Sequence, residues 1–172
     1  MVRIRTKSAH DLALALRSAY WTLHRQTDAS LQAHGVTASQ FVLLTLLSDQ
    51  PAVTQRELVD LASSDPNTVR AMLVALQGKG LVSRQRHPTD GRAWQVSLTE
   101  QGRNLLPSLW RLTDPVRDRL LTEFDDDERR TLERLLVRTA AVMSHDGKGA
   151  SSSSRRGPAH RSAAAGAELK DL

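Results

Sequence analysis

Two clusters of hydrogen-bonding side chains lie in the middle of this 172-residue chain. Asn67, Thr68 and Arg70 follow an Asp-Pro pair, and Asp90 and Arg92 belong to a turn that contains glycine. An asparagine amide can pair with two atoms of adenine, an arginine can pair with two atoms of guanine, and a threonine can contact a phosphate or a thymine methyl. The chemistry that these residue types favour is recognition of the bases and phosphates of double-stranded DNA.

The sequence contains no comparable cluster of residues with the types and spacing of a catalytic site. The six histidines, at positions 10, 24, 34, 87, 145 and 160, show no metal-binding spacing such as His-Glu-x-x-His. Gly78-Lys79-Gly80 follows a helix and not a strand, so it does not form a phosphate-binding loop. The absence of cysteine excludes a thiolate metal site and a thiol redox switch. We predict no catalytic residue, no metal and no cofactor.

The charge distribution agrees with an anionic partner. The formal net charge is +5, and residues 70–103 hold six basic residues against two acidic ones. Residues 114–134 hold eight acidic residues against five arginines. A basic middle with a separate acidic segment suits one face that binds nucleic acid and another that self-associates. Arg84 and Arg86, two residues apart on a predicted strand, are expected to contact phosphates.

Sequence patterns typical of helices occur before Asn67, Thr68 and Arg70 and also contain these three residues. Leu12 to Leu31 repeat apolar residues at three- and four-residue steps, and Gly35 can end that helix. Thr37 to Gln40 and Thr54 to Glu57 are two capping boxes, each of which opens a helix. Asp65-Pro66 supplies an N-cap and a proline at the first helical position. The sequence therefore predicts four helices before residue 80.

The pattern then changes to alternation. Residues 81–86 and 93–98 predict two strands, and 87–91 supply turn chemistry between them. Helical periodicity returns after Thr99, where Pro115 is expected to kink or interrupt the helix. A last helix is expected to begin near Asp125 and to bury Leu132, Leu135, Leu136, Val142 and Met143.

This order of elements predicts a fold that is mainly α with a small β-hairpin wing: a winged helix-turn-helix with flanking dimerisation helices. In such a motif the second helix enters a major groove of DNA. The alternative interpretation is a winged-helix protein-interaction module without DNA binding. This alternative gives no role to Arg92 in the turn or to the basic residues of segment 70–103.

The predicted organisation has four parts. Residues 1–7 form a basic flexible arm, 8–34 and 100–144 form dimerisation helices, 35–99 form the winged helix-turn-helix DNA-binding lobe, and 145–172 form a flexible tail. No apolar run reaches the roughly 18 residues of a membrane span. We expect a cytoplasmic protein without a membrane partner.

The chain resembles the MarR family of transcriptional regulators from about residue 10 to 144. The resemblance rests on four segments: Asp65-Pro66-Asn67-Thr68-Val69-Arg70, Leu76-Gln77-Gly78-Lys79-Gly80-Leu81-Val82, Asp90-Gly91-Arg92-Ala93 and Leu98-Thr99-Glu100-Gln101-Gly102. The chain departs from the family pattern at Ala71, where a basic residue is usual, and at Gly78, where a good helix former is usual.

The resemblance implies a homodimeric regulator, and most simply a repressor, on a pseudo-palindromic operator. It implies that Arg92 reaches a minor groove and that Asp90 helps to hold the wing. It also implies a pocket between the DNA-binding lobe and the dimer helices for a small aromatic or lipophilic effector. The candidates for lining that pocket are Tyr20, Trp21, His24, Arg25, Phe41 and Trp110.

Overall fold

The computed structural model of the chain describes residues 9–50 and 52–149, with side chains up to residue 143. The chain divides into two units, residues 1–123 and residues 124–172. The predicted basic arm, and the part of the predicted tail after residue 149, lie outside the described residues. In the part of the chain that is described, no helix has the length and apolar character needed to cross a membrane.

The fold is mainly helical with a small antiparallel sheet, as predicted. The first unit holds the helices α1 (Ala9–Leu31), α2 (Ala38–Ser48), α3 (Gln55–Leu61), α4 (Pro66–Gly78) and α5 (Glu100–Glu123), a short 3-10 helix (Gln32–His34), and the strands β1 (Val53–Thr54), β2 (Val82–Arg86) and β3 (Trp94–Leu98). The second unit holds helix α6 (Asp126–Gly149).

Side-chain caps fix where the short helices begin. Thr37 and Gln40 form a capping box at the start of α2, and Thr54 and Glu57 form another at the start of α3. Each box satisfies two backbone N–H groups that a helix end would otherwise leave without a partner. Both boxes and the N-cap of α4 confirm the sequence predictions.

Among the described residues, a mainly aliphatic core connects the helices of the lobe to its sheet. Leu44 of α2, Leu58 of α3, Leu73 of α4 and Val96 of β3 are all fully buried. The first turn of α5 also approaches the lobe closely, because Gly102 lies against the carbonyl of Leu81. A side chain at position 102 would overlap that carbonyl, so the absence of a Cβ permits this packing.

The sheet has one strand more than the sequence analysis predicts. The strand order is β1-β3-β2, and both pairs are antiparallel. Val53 faces Val96, while Val82 faces Leu98. β1 contains two residues, so it is too short for a period-two pattern to reveal.

One of the two outcomes expected at Pro115, an interruption of the helix, is wrong, and the last helix runs past its predicted end. α5 continues through Pro115 without interruption, because Leu109, Thr113 and Val116 are buried along one face on both sides of the proline. Packing along a helix face can outweigh the loss of one backbone hydrogen bond. α6 ends at Gly149, five residues beyond the predicted boundary at 144. No proline lies in residues 145–149 to end the helix earlier.

Several large apolar side chains remain exposed in the single chain. On α1 the exposed fractions of Leu12, Tyr20 and Trp21 are 53%, 58% and 54%. The predicted buried residues of α6 are also exposed, namely Leu132, Leu135, Leu136, Val142 and Met143. The isolated chain therefore does not bury the apolar stripes of its first and last helices.

Candidate nucleic-acid interface and the adjoining cavity

Helix α4 presents a polar first turn to solvent. The carboxylate of Asp65 accepts hydrogen bonds from the backbone N–H groups of Asn67 (2.9 Å) and Thr68 (3.0 Å). Asn67, Thr68 and Arg70 are exposed, whereas Val69 on the opposite face is fully buried. The three predicted recognition residues therefore lie together at the accessible start of a well-capped helix.

The turn between α3 and α4 is tight and internally bonded. Ser63 adopts a left-handed backbone conformation with φ 47°. The backbone N–H groups of Ala62 and Ser64 donate to the carbonyls of Leu58 (2.9 Å) and Val59 (3.3 Å). This geometry holds α4 at a fixed angle to α3, as a helix-turn-helix requires.

The wing tip is built by Asp90 and His87. The backbone N–H of Arg92 donates to the Asp90 carboxylate at 3.0 Å, and that of Ala93 donates to the Asp90 carbonyl at 2.9 Å. His87 Nδ1 accepts from the backbone N–H groups of Thr89 and Asp90. Asp90 thus holds the backbone of Arg92, and the exposed guanidinium of Arg92 has no bonding partner among the described residues.

Trp94 is a functional candidate that the sequence analysis misses. Two guanidinium groups lie against its ring: the Cζ atom of Arg86 is 4.5 Å from the ring centroid, and that of Arg84 is 5.1 Å away. Arg84 and Arg86 are two residues apart on β2, so both face the same side of the sheet. Trp94 pairs directly with Arg86 across the strands.

Each of the two arginines also bonds to a different part of the lobe. Arg84 donates to the Gln55 side chain at 3.0 Å, in the first turn of α3. Arg86 donates to the carbonyl of Gly91 at 3.0 Å, next to Arg92 at the wing tip. A continuous set of contacts therefore links α3 to the wing tip through Trp94.

One carboxylate in the lobe has a perturbed pKa. Hydrogen bonds from the Thr54 backbone N–H (2.7 Å) and the Thr54 hydroxyl (2.8 Å) lower the pKa of Glu57 below its ordinary value. Both bonds favour the ionised form. An ionised Glu57 in the first turn of α3 also interacts favourably with the helix dipole.

A cavity of about 610 Å³ lies between α1, α2, α4 and α5. Tyr20, His24 and Phe41 line it, whereas Trp21, Arg25 and Trp110 do not. Trp110 packs edge-on against Phe41, with ring centroids 5.1 Å apart.

Residues that the sequence analysis does not assign to a pocket complete the cavity wall, namely Leu23, Thr27, Ala38, Ser39, Val42, Leu43, Ala62, Ser63, Ser64, Thr68, Met72, Thr113 and Arg117. Arg117 forms an ion pair with Asp114 and lies over the Trp110 ring. Its Nη1 atom is buried without a hydrogen-bond partner among the described residues. Only the fold could place Arg117 here, because it is 76 positions after Phe41 in the sequence.

A helix-turn-helix whose capped second helix is followed by a two-stranded wing defines the winged-helix class of DNA-binding proteins. Residues 36–94 match the model of the MarR family. The chain is 35% identical over 104 residues to the HTH-type transcriptional regulator YdgJ of Bacillus subtilis, and the alignment spans 60% of this chain and 63% of that protein.

Two solved structures are also similar. A MarR variant from E. coli in complex with operator DNA superposes with a TM-score of 0.69 at 28% identity, covering 74% of this chain and 92% of that one. The second is BpsR of Bordetella bronchiseptica, whose DNA binding is regulated by 6-hydroxynicotinic acid. It superposes with a TM-score of 0.70 at 25% identity, covering 81% of this chain and 98% of that one. Residues 36–94 therefore form a MarR-family domain, and along most of its described length the chain resembles winged-helix, DNA-binding transcriptional regulators of that family.

Proposed function

We propose that this chain is a sequence-specific regulator that binds a pseudo-palindromic operator as a homodimer and represses transcription by occluding a promoter. The observation that carries the proposal is the presence, on one lobe, of the exposed first turn of α4 and the exposed guanidinium of Arg92. In a dimer, two α4 helices would enter successive major grooves, roughly 34 Å apart. A protein with this role acts in the cytoplasm, on the chromosome.

The predicted DNA-binding residues divide into three roles in this proposal. Asn67, Thr68 and Arg70 face the major groove, with Arg70 the strongest candidate for a base contact. Arg92 enters a minor groove, where negative potential attracts a guanidinium, while Asp90 shapes the turn that carries it. Arg84 and Arg86 face the phosphates at the base of the wing while also packing on Trp94.

The proposed dimer would cover the exposed apolar side chains of α1 and α6. Light scattering at micromolar concentration is expected to give about twice the 19.0 kDa mass of one chain. Leu135→Arg should shift the mass toward one chain, because a charge cannot be buried in an apolar interface without a large cost. Arg130→Glu, on the same helix, is the control and should leave the dimer intact. A mass near 19 kDa for the unaltered protein would contradict the dimer.

Trp94 is proposed as a positioning residue for Arg92. Trp94→Leu removes both cation–π interactions, each of which contributes about 0.5–2 kcal/mol. We expect operator affinity to fall roughly fivefold, equivalent to about 1 kcal/mol, and Trp94→Phe to retain most of it. In an Arg92→Ala background, Trp94→Leu should cause a smaller decrease, because only Arg84 and Arg86 then remain for Trp94 to position.

The readout for Trp94 is a double-mutant cycle of operator affinities measured by fluorescence anisotropy. Melting temperatures of the four proteins serve as the control for folding. Additive effects of Trp94→Leu and Arg92→Ala would show that Trp94 acts on DNA independently of Arg92. A chain that binds no DNA in any form would instead refute the proposed function itself.

The cavity is proposed to bind a small aromatic acid that modulates DNA binding. The apolar faces of Tyr20, Phe41 and Met72 suit a ring, and the buried Nη1 of Arg117, which has no partner among the described residues, suits a carboxylate. The similarity to BpsR, which responds to an aromatic acid, supports this assignment. The effector would act only through different affinities for the conformations that fit DNA and those that do not.

A further inference from the structure

A chain of three hydrogen-bonded side chains crosses from α1 to the first turn of α2. The Ser39 hydroxyl oxygen lies 3.0 Å from His24 Nε2, and His24 Nδ1 lies 3.0 Å from one carboxylate oxygen of Asp28. The other oxygen of Asp28 accepts a hydrogen bond from the Ala38 backbone N–H at 2.6 Å. The backbone of Ala38 therefore holds the Asp28 carboxylate in place. That carboxylate orients the His24 imidazole, and the imidazole in turn orients the Ser39 hydroxyl.

We propose that Ser39 is a nucleophile that small carboxylic esters acylate inside the cavity, with His24 as its general base and Asp28 as the group that orients the base. The proposal is independent of the proposed DNA-binding function, because its chemistry requires neither an operator nor a dimer.

The hydrogen-bonding capacity of each group sets the direction of proton transfer. An ionised carboxylate only accepts hydrogen bonds, so His24 Nδ1 must carry a hydrogen in its contact with Asp28. In the neutral imidazole, Nε2 is then an acceptor, and the Ser39 hydroxyl donates to it. This tautomer is the one that a general base needs in order to take a proton from a serine.

The backbone at Ser39 supplies a donor for the developing oxyanion. In the first turn of α2, the N–H of Ala38 is bonded to Asp28, that of Gln40 to the Thr37 hydroxyl (3.2 Å), and that of Phe41 to the Thr37 carbonyl (2.8 Å). The N–H of Ser39 has no partner among the described residues. A nucleophile's own N–H at a helix N-terminus can stabilise negative charge on the attacked carbonyl oxygen.

The position of the nucleophile in the cavity indicates the class of ester. His24 and Ser39 both line the cavity of about 610 Å³, together with the apolar side chains of Tyr20, Phe41 and Met72. The His24 side chain is 21% exposed, so a small molecule in the cavity can approach it. A short aliphatic or aromatic acyl group with a good leaving alcohol fits this surface.

The acylation step balances without a further reactant. A bond forms between Ser39 Oγ and the ester carbonyl carbon as the hydroxyl proton passes to His24 Nε2. The bond from that carbon to the leaving oxygen then breaks, and the proton passes from His24 to the departing alkoxide. The products are an acyl ester of Ser39 and one molecule of alcohol.

The test uses the full-length protein and para-nitrophenyl butyrate. We expect one para-nitrophenolate released per chain, an intact mass raised by one butyryl group, and a peptide map that places this group on Ser39. Ser39→Ala should abolish the adduct, and His24→Gln should slow its formation by about 100-fold or more, as removal of a general base does. Ser30→Ala is the matched control, because Ser30 lies on α1 outside the cavity wall and its hydroxyl donates to the carbonyl of Gln26, and it should react as the unaltered chain does.

A fluorophosphonate probe supplies a second measurement that depends on the same nucleophile. Melting temperatures verify that each variant is folded before its rate is compared. The proposal would be overturned by the absence of an adduct, by an adduct at another residue, or by His24→Gln reacting at the rate of the unaltered chain. In each of those cases the three side chains serve only to join α1 to α2.

Discussion

Arg92→Ala is expected to weaken binding to operator DNA and to random DNA by a similar factor. The Arg92 guanidinium is exposed at the wing tip and has no bonding partner within the described part of the chain, so its attraction to a minor groove is mainly electrostatic. The slope of log affinity against log salt should become shallower by about one for each phosphate that the variant no longer neutralises. Titrations of a labelled duplex at several salt concentrations measure both quantities.

Arg70→Ala is the companion variant, with a different expected pattern. Arg70 lies near the start of α4, where an interaction with a base edge contributes about 1–3 kcal/mol of discrimination, or roughly 5- to 150-fold. Operator affinity should therefore fall much more than affinity for random DNA. Equal decreases on both duplexes would assign Arg70 to the phosphates. If neither variant changed binding, the DNA-binding surface proposed here would be wrong.

Gly102→Ala is expected to destabilise the fold by about 3 kcal/mol or more. The added Cβ would overlap the carbonyl of Leu81, which also accepts the backbone N–H of Thr99. Backbone cannot move aside as a flexible side chain can, so the first turn of α5 must shift away from the sheet. Denaturant unfolding measures the change in free energy.

Gly78→Ala is the matched control for that variant. A Cβ at Gly78 meets nothing within 4 Å, and alanine is favoured over glycine in a helix by up to about 1 kcal/mol. Stability should therefore stay constant or rise. Equal destabilisation by both variants would show that the close approach of Gly102 to Leu81 is not the cause.

Local signals in the sequence predict the DNA-binding lobe well, because its elements begin and end at residues with strong positional preferences. The capping boxes at Thr37 and Thr54, and the Asp-Pro start of α4, each act within four residues of themselves. The wing is similarly local, since its turn chemistry and alternating strands lie within residues 81–98. Such features depend little on the rest of the fold.

Features that arise from interactions distant in sequence could not be predicted in the same way. β1 exists because Val53 and Thr54 pair with Val96 and Gln95 of β3, 43 and 41 residues later. α5 remains continuous at Pro115 because residues on both sides of the proline are buried on one face of the helix. The periodicity of the sequence does not show whether the free energy of that burial exceeds the cost of the lost hydrogen bond. Trp94 has the pattern of an ordinary strand residue, and only the structure shows that the guanidinium groups of Arg84 and Arg86 lie against its ring.

The short strand β1 has a mechanical consequence. It pairs with the wing through β3 and continues directly into α3, which packs on α4. Main-chain pairing therefore connects the base of the wing to the helix-turn-helix, and we expect this connection to restrain the wing from swinging about its base. The two parts of the lobe that approach DNA would then move as one rigid body, so a regulatory signal would displace the whole lobe and leave its internal shape intact.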